Sequence, residues 1–313
     1  MKLKILTVIL AIAIITTMAS CTQNDTGSSS MNSSVMGTSS DSGVISSMED
    51  AISSEMDEMT SSDTSSTASG EELSSPTAAQ LSEIQSLDST TVLWGPGTIY
   101  NKENRPVAPC DLQKKYGELG AYFIAENTSN IYLTFDEGYE NGYTSQILDV
   151  LKEKNVSAVF FVTMPYVKGN PDLIERMINE GHIVGNHSNK HLVMPELSIE
   201  EATDEYMKLH EYVKENFNYE MTLFRPPEGK FSEQSIALGK ALGYKNVLWS
   251  FAYADYDINN QPEKQAALEK IVKRAHNGEI MLLHAVSKTN TEILGDVIDQ
   301  LRNEGYTFCK FDL

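Results

Sequence analysis

The segment Ile131-Tyr132-Leu133-Thr134-Phe135-Asp136-Glu137-Gly138 indicates the fold class of this chain. Its first five residues are a β-type, mostly apolar run, and two adjacent carboxylates and a glycine follow them. A short apolar run bounded by turn residues is typical of a strand buried in a parallel sheet. Because reactive side chains of parallel α/β folds gather at the carboxyl ends of strands, the acid pair marks that edge.

Six further strand-like runs alternate with helical patterns between this stretch and the C-terminus. The strand-like runs are 156–162, 182–184, 222–224, 246–249, 280–283 and 306–311, and the helical patterns are 145–154, 171–180, 199–217, 233–242, 264–276 and 291–304. Such alternation predicts an α/β fold with a parallel sheet, open or closed. With about seven parallel strands we favour a (β/α) barrel, and residues 131–313 form the predicted catalytic domain.

The N-terminus carries the features of a bacterial export signal. Lys2 and Lys4 precede an apolar run of 14 residues, 5–18, and the small pair Ala19-Ser20 comes directly before Cys21. The run is short for a membrane span, which needs about 20 residues. We predict a lipoprotein signal peptide over residues 1–20, a lipid on Cys21, and an extracytoplasmic protein anchored to the membrane. The alternative is an ordinary secretory signal with a chance cysteine.

Composition separates the next two segments. Residues 22–89 contain no Lys or Arg and are rich in Ser, Thr and acidic side chains, so residues 21–90 are predicted to be a disordered linker. Residues 91–130 contain several Gly and Pro residues that favour turns, and they are predicted to be an N-terminal extension packed on the barrel. The formal net charge of -20 argues against a nucleic-acid partner, which needs clustered basic residues.

Two cysteines remain after Cys21, at positions 110 and 309. Outside the cytoplasm they are able to pair, but a sequence does not show their distance. We favour two unpaired, half-buried thiols, with a disulfide as the alternative.

Polar and titratable side chains follow five of the predicted strands. In chain order they are Asp136 and Glu137, His187 and His191, Arg225 with Pro227 and Glu228, Trp249 with Asp255 and Tyr256, and His284. One carboxylate after a strand is usually a helix cap, but five such strand ends in succession indicate an active site.

Three of these residues suit a divalent metal ion. His187 and His191 are four residues apart, a spacing that places both rings on one face of a helical segment. With Glu137 they supply three protein ligands and leave a position for water, as in catalytic metal sites.

The remaining residues suit hydrolysis by a metal-bound water. Asp136 is predicted to be the general base and His284 the acid that protonates the leaving amine. Arg225 is expected to hold Asp136 ionised, and Asp255 to raise the pKa of His284. A backbone amide near Glu228 is expected to receive the oxyanion.

The motifs resemble those of the polysaccharide deacetylases of carbohydrate esterase family 4, which contain the NodB homology domain. The similarity covers about residues 131–313, with five motifs in family order. The stretch 135–144, Arg225-Pro226-Pro227, Trp249-Ser250 and 283–287 resemble most the branch that makes muramic δ-lactam in spore cortex. The resemblance implies a deformed (β/α) barrel, a divalent metal (zinc, with cobalt or manganese as alternatives), and removal of acetyl groups from N-acetylmuramic acid or N-acetylglucosamine units of peptidoglycan.

Three positions depart from the family pattern. Glu137 stands where Asp is usual, and Tyr256 stands in the substrate wall where Trp is usual. Glu228 stands where Tyr or a basic residue is usual, and a carboxylate there is expected to repel the lactyl carboxylate of muramic acid. These departures leave the choice of sugar open.

Two other classes of function remain as alternatives. A catalytically impaired sugar-binding module on the same fold would not require both a base and an acid. An iron oxygenase also uses two histidines and one carboxylate, but on an all-β scaffold rather than in an α/β alternation.

Overall fold

The computed structural model describes residues 75–313 of the chain. In this part, the helices are Ala78–Ser86 (α1), Val107–Tyr116 (α2), Thr144–Lys154 (α3), Met164–Gly169 (α4), Pro171–Asn179 (α5), Ile199–Phe217 (α6), Glu233–Ala241 (α7), Lys264–Arg274 (α8) and Lys288–Asn303 (α9). The strands are Val92–Leu93 (β1), Ala121–Tyr122 (β2), Asn130–Glu137 (β3), Val159–Val162 (β4), Ile183–Asn186 (β5), Leu223–Phe224 (β6), Lys230–Phe231 (β7), Lys245–Val247 (β8), Glu279–His284 (β9) and Thr307–Phe308 (β10).

Eight of these strands form one sheet in which every pairing is parallel. The order is β10-β3-β4-β5-β6-β8-β2, and β9, which is outside this order, also pairs with β3. The chain after β8 then reaches β9, where the Leu282 amide donates to the Phe251 carbonyl at 2.9 Å. The sheet therefore curls into a deformed (β/α) barrel, which confirms the predicted fold class.

The central strands β3, β4 and β9 of this barrel bury both of their faces. On β3, Phe135 points to the helices and stacks on Phe160 at 5.2 Å between ring centroids. Tyr132, on the opposite face, packs with Phe161 and Leu282 in the other core cluster. Successive strand residues point to opposite faces, so odd-numbered residues of β3 face the helices and even-numbered ones face the barrel interior. This parity decides the direction of Asp136 and Glu137.

The chain before β3 is more ordered than its sequence indicates. Helix α1 begins with a capping box at Thr77, and the Gln234 amide donates to the Asp88 carbonyl at 3.1 Å. The prediction of a disordered linker up to residue 90 is therefore wrong for the residues of α1. The segment 91–130 contributes β2 to the sheet beside β8, besides packing on it.

The predicted signal peptide 1–20, Cys21 and the linker to residue 74 lie outside the described residues. Within residues 75–313, no helix has the length and hydropathy needed to cross a bilayer. Cys110 and Cys309 are both free and half-buried, in agreement with the favoured alternative of two unpaired thiols.

Candidate active site

A cavity of about 580 Å³ opens at the carboxyl ends of β3, β5, β6, β8 and β9. The predicted residues that line it are Asp136, His187, His191, Glu228, Trp249, Tyr256 and His284. Arg225, Asp255 and Pro227 are buried behind that lining. The strand-end residues therefore meet at one site, with Glu137 as the exception described below.

Arg225 holds the carboxylate of Asp136 in the cavity wall. Its Nη1 donates to Asp136 Oδ1 at 2.7 Å, while its Nε and Nη2 donate to the carbonyls of Val247 and Leu248 at 3.0 and 3.2 Å. The guanidinium is fully buried and lies over the Phe161 ring, with Cζ 4.1 Å from the centroid. With its donors used in this way, Arg225 fixes both the charge and the rotamer of Asp136.

Asp136 is ionised in this environment. Burial raises the pKa of Asp136, but the charges of Arg225, His187 and His284 outweigh burial and leave it below its usual value of 3.8. Its second oxygen, Oδ2, lies 3.6 Å from His187 Nε2. The group is therefore an anion with one oxygen committed to Arg225 and one directed toward the histidines.

His187 presents an unprotonated nitrogen to the cavity. Its Nδ1 lies 2.8 Å from the Arg225 carbonyl oxygen, which accepts but cannot donate, so Nδ1 carries the proton. Burial lowers the pKa of His187 to about 4, so the ring is neutral at pH 7. A neutral imidazole whose other nitrogen donates to a carbonyl is the usual form of a metal ligand.

His187 and His191 lie in a loop, not in the helical segment that their spacing suggests. Ser188 and His191 have positive φ values of 73° and 58°. The loop is held by Glu205 of α6, whose carboxylate accepts from the Lys190 amide at 2.7 Å. The two histidine rings still meet, with centroids 4.8 Å apart.

Asp255 holds His284, which lies beside Asp136 at the carboxyl end of β9. Asp255 Oδ1 accepts from His284 Nδ1 at 2.8 Å, and its Oδ2 accepts from the His284 amide at 2.9 Å. Burial lowers the pKa of His284, but the hydrogen bond and charge of Asp255 more than offset it and raise the pKa above 6.5. With Nδ1 committed to Asp255, Nε2 is the nitrogen left for the cavity.

Asn290, at the start of α9, hydrogen-bonds to Asp255 behind His284. Asn290 is not among the site residues predicted from the sequence. Its Nδ2 donates to Asp255 Oδ2 at 2.6 Å, and its Oδ1 accepts from the Tyr253 hydroxyl. The signal available in the sequence was weak, because an Asn three residues after Ser287 looks like part of a helix start.

Glu137 does not join the two histidines, which corrects the predicted ligand set. It is fully buried on the helix-facing side of β3, next to Glu140 and Thr144, and neither carboxylate oxygen has a hydrogen-bond partner. Burial, and then the charges of Glu140 and Asp136, raise the pKa of Glu137 well above its usual value. Within residues 75–313, no three His, Cys, Asp or Glu residues form a complete ligand group for a metal ion.

The turn after β6 forms the rim of the cavity. Glu228 and Gly229 have positive φ values of 57° and 66°. The Gly229 carbonyl accepts from the Trp94 amide at 3.2 Å, and the Gly229 amide donates to the Pro226 carbonyl at 3.1 Å. The Gly229 amide is thus occupied, and the Glu228 amide is the candidate to receive an oxyanion.

Two exposed tyrosines flank the opening. Tyr139 is 52% exposed and Tyr256 is 61% exposed, although both line the cavity. The Tyr256 ring packs edge-on against His284, with centroids 5.8 Å apart. Sequence reasoning assigned Tyr256 to the wall but missed Tyr139, which follows the acid pair after one glycine.

The parallel barrel holds an Asp–Arg pair and a His–Asp pair in one cavity, and the comparisons place the chain in the class of polysaccharide deacetylases. Residues 124–247 match the family model described as polysaccharide deacetylase. The chain belongs to this family.

Individual relatives are matched over most of their own length. The chain is 40% identical over 237 residues to the peptidoglycan-N-acetylmuramic acid deacetylase PdaA of Bacillus subtilis, covering 75% of this chain and 90% of that protein. It is 32% identical over 188 residues to a peptidoglycan-N-acetylglucosamine deacetylase of Bacillus cereus, covering 59% and 87%. The solved structure of Bacillus subtilis PdaA, a family 4 carbohydrate esterase, is 40% identical and aligns with a TM-score of 0.69 over 72% of this chain and 97% of that one.

Proposed function

We propose that this protein removes N-acetyl groups from the amino sugars of peptidoglycan, N-acetylmuramic acid or N-acetylglucosamine, in a metal-dependent hydrolysis. The observation that carries the proposal is the presence of two charged dyads side by side in one cavity. Asp136 is backed by Arg225 at 2.7 Å, and His284 is backed by Asp255 at 2.8 Å. The names of the relatives in Bacillus subtilis and Bacillus cereus supply the substrate class.

Asp136 acts as the general base. It is ionised near neutral pH, and Oδ2 is free of Arg225. A water beside Oδ2 loses a proton to this oxygen while its own oxygen attacks the acetyl carbonyl carbon. The Glu228 amide, on the rim, is placed to stabilise the negative charge that develops on the carbonyl oxygen.

His284 acts as the acid that releases the sugar amine. Asp255 raises the pKa of His284, so the imidazolium form is available near neutral pH. Its Nε2 gives a proton to the amide nitrogen as the carbon–nitrogen bond breaks, and the products are acetate and a free amine. Asn290 keeps Asp255 in position for this step.

We propose that a divalent cation binds beside the histidines, although not with the ligands first expected. His187 offers a neutral ring with Nε2 toward Asp136, and His191 lies beside it. We assign these two histidines as the protein ligands and Asp136 as the neighbouring negative charge. Zinc is the proposed ion, and when bound it would polarise the acetyl carbonyl and make water more acidic.

Trp249 and Tyr256 form the apolar walls beside the dyads. Trp249 is buried under the rim turn and Tyr256 covers His284. Flat apolar surfaces of this kind suit the faces of sugar rings and the acetyl methyl group.

We further propose that the protein is exported and attached to the membrane by a lipid on Cys21. The support is the basic start, the short apolar run and the small residues before this cysteine. Replacing Cys21 by Ser should move the protein from the membrane fraction to the soluble fraction of the envelope. Equal membrane retention of both forms would contradict the lipid anchor.

Mass spectrometry of wall fragments tests the deacetylation. After incubation with the purified protein, we expect a loss of one acetyl group per modified sugar, abolished by a chelator and restored by zinc or cobalt. The fragments also separate glucosamine from muramic products. Unchanged fragments would reject the activity.

One observation favours a second candidate, a catalytically impaired glycan-binding module on the same fold. Glu137 is turned away from the histidines, so the described residues lack a complete three-ligand group. Such a module would bind peptidoglycan fragments with intact affinity while releasing no acetate at any metal concentration.

A further inference from the structure

A charged pair stands on the rim of the cavity, on the turn after β6. Lys230 Nζ lies 2.7 Å from Glu228 Oε2, and the two side chains are 29% and 48% exposed. Glu228 lines the cavity together with His191 and Trp249. A sugar substituent that enters the cavity therefore passes a carboxylate that already has its counter-charge.

The backbone holds Glu228 at this place under strain. A φ value of 57° is uncommon for a residue with a side chain and persists where the surrounding structure enforces it. The next residue, Gly229, packs so closely on Trp249 that an added Cβ would lie 2.7 Å from Trp249 Cη2. Strained residues of this kind cluster at functional sites, and here the strain presents one specific side chain to the cavity.

The other charges near the cavity already have partners. Asp136 is paired with Arg225, and Asp255 with His284. No Lys or Arg is among the described residues that line the cavity. A substrate carboxylate would thus find no lysine or arginine along that lining, and it would meet the negative charge of Glu228.

We infer that Glu228 is a specificity-determining residue that selects amino sugars without a free carboxylate, and that Lys230 is the positioning residue that holds it. The accepted units are N-acetylglucosamine and N-acetylmuramic acid whose lactyl carboxyl group is bound in an amide. The disfavoured unit is N-acetylmuramic acid with a free lactyl carboxylate. This inference rests on the proposed deacetylation and names its substrate class.

From the sequence, Glu228 is expected to repel the lactyl carboxylate of muramic acid as an isolated charge. The ion pair with Lys230 shortens the range of that repulsion. Lys230 neutralises much of the field of Glu228 at a distance, and the hydrogen bond from Lys230 lowers the pKa of Glu228, so the pair stays charged at neutral pH. Repulsion is then short-ranged and acts on a carboxylate close to the rim, not on the anionic polymer as a whole. It also weakens with salt, because both side chains are partly exposed.

The test compares one glycan in two charge states. A peptide-free muramyl glycan is prepared as the free acid and as its methyl ester, with an N-acetylglucosamine oligomer as the neutral reference. For the unmodified protein, we expect acetate release from the ester to be about tenfold faster than from the free acid at low salt. The ratio should fall toward one at high salt.

Variants of Glu228 and Lys230 test whether this pair causes the difference in rate between the ester and the free acid. Glu228→Gln should bring the ratio close to one, and Lys230→Met should enlarge it because the carboxylate loses its counter-charge. Glu228→Gly removes the same charge and suits the positive φ, so it serves if the Glu228→Gln variant does not fold. Glu196→Gln is the matched control, because Glu196 also acts on Lys230 but does not line the cavity, and its ratio should equal that of the unmodified protein.

Two results would overturn the inference: equal ratios before and after removal of the Glu228 carboxylate, or faster turnover of the free acid by the unmodified protein. Absence of acetate from all three glycans would instead reject the proposed activity. In that case calorimetric affinities for the free acid and the ester give the same comparison, so the role of Glu228 is tested independently of turnover.

Discussion

Asp136 and His284 are direct neighbours across two parallel strands, β3 and β9, in the register of the sheet. Each has its own counter-charge, Arg225 for Asp136 and Asp255 for His284. Because hydrogen-bonded strands set this register, the spacing of the proposed base and acid depends on the barrel itself and not on the loops around it.

The first prediction concerns the base. Asp136→Asn keeps the shape of the side chain but cannot accept a proton, so acetate release should fall by about 10²–10⁴-fold. The melting temperature should also fall, because the fully buried Arg225 loses its counter-charge. Asp149→Asn removes an exposed carboxylate paired with Arg176 and should change neither quantity much. Undiminished turnover by the Asp136→Asn variant would reject the base assignment.

The second prediction concerns pH. His284 must be protonated to act as the acid, and its pKa is raised above 6.5, so kcat/KM should decline only as pH rises through that raised value. Asp255→Asn removes the raising contact and leaves burial, which lowers the pKa of His284. The alkaline limb of the pH profile should therefore move to lower pH. A limb at the same position in both proteins would show that another group causes it.

Metal binding is expected to depend on His187 and not on Glu137. Glu137→Gln should retain the zinc content of the unmodified protein, measured by elemental mass spectrometry after dialysis, because its side chain faces the helices. His187→Ala should lose most of the metal, since it removes the nitrogen that faces Asp136. If the Glu137→Gln variant lost its metal and the His187→Ala variant kept it, the two assignments would have to be exchanged.

The fourth prediction concerns the rim turn. Gly229→Ala combines a positive φ of 66° with a Cβ placed 2.7 Å from Trp249 Cη2. It should lower the free energy of unfolding by about 2–5 kcal/mol and displace Trp249. Gly142→Ala has a comparable φ of 85° and open space around its Cβ, so it should lose only the backbone part, about 1–2 kcal/mol. Equal losses, measured by denaturant titration, would show that the contact with Trp249 is unimportant.

The sequence predicted the meeting of the strand ends but not the direction of every side chain. Asp136, Arg225, Asp255 and His284 were recognised because polar groups rarely follow apolar runs at five of seven strands. Glu137 was misassigned because the first strand was expected to end at Phe135. The strand continues to Glu137, so the alternation of faces still applies and sends the two adjacent carboxylates in opposite directions.

Other features depend on tertiary contacts that a single sequence does not contain. The Glu228–Lys230 pair lies on a turn in which Glu228 has a positive φ and Gly229 packs tightly on Trp249. Asn290 reaches Asp255 across 35 positions of the chain. Strand β2 was hidden because it is two residues long and takes its parallel partner, β8, from a distant part of the sequence.

Arg225 makes the proposed chemistry conditional on complete folding. Its guanidinium joins Asp136, 89 positions earlier, to the carbonyl of Leu248, 23 positions later, and the whole side chain is buried in the finished barrel. An incompletely folded chain therefore has a carboxylate and a histidine but no assembled base. Recovery of acetate release during refolding should lag behind the return of helical circular dichroism, which makes turnover a late reporter of the native state.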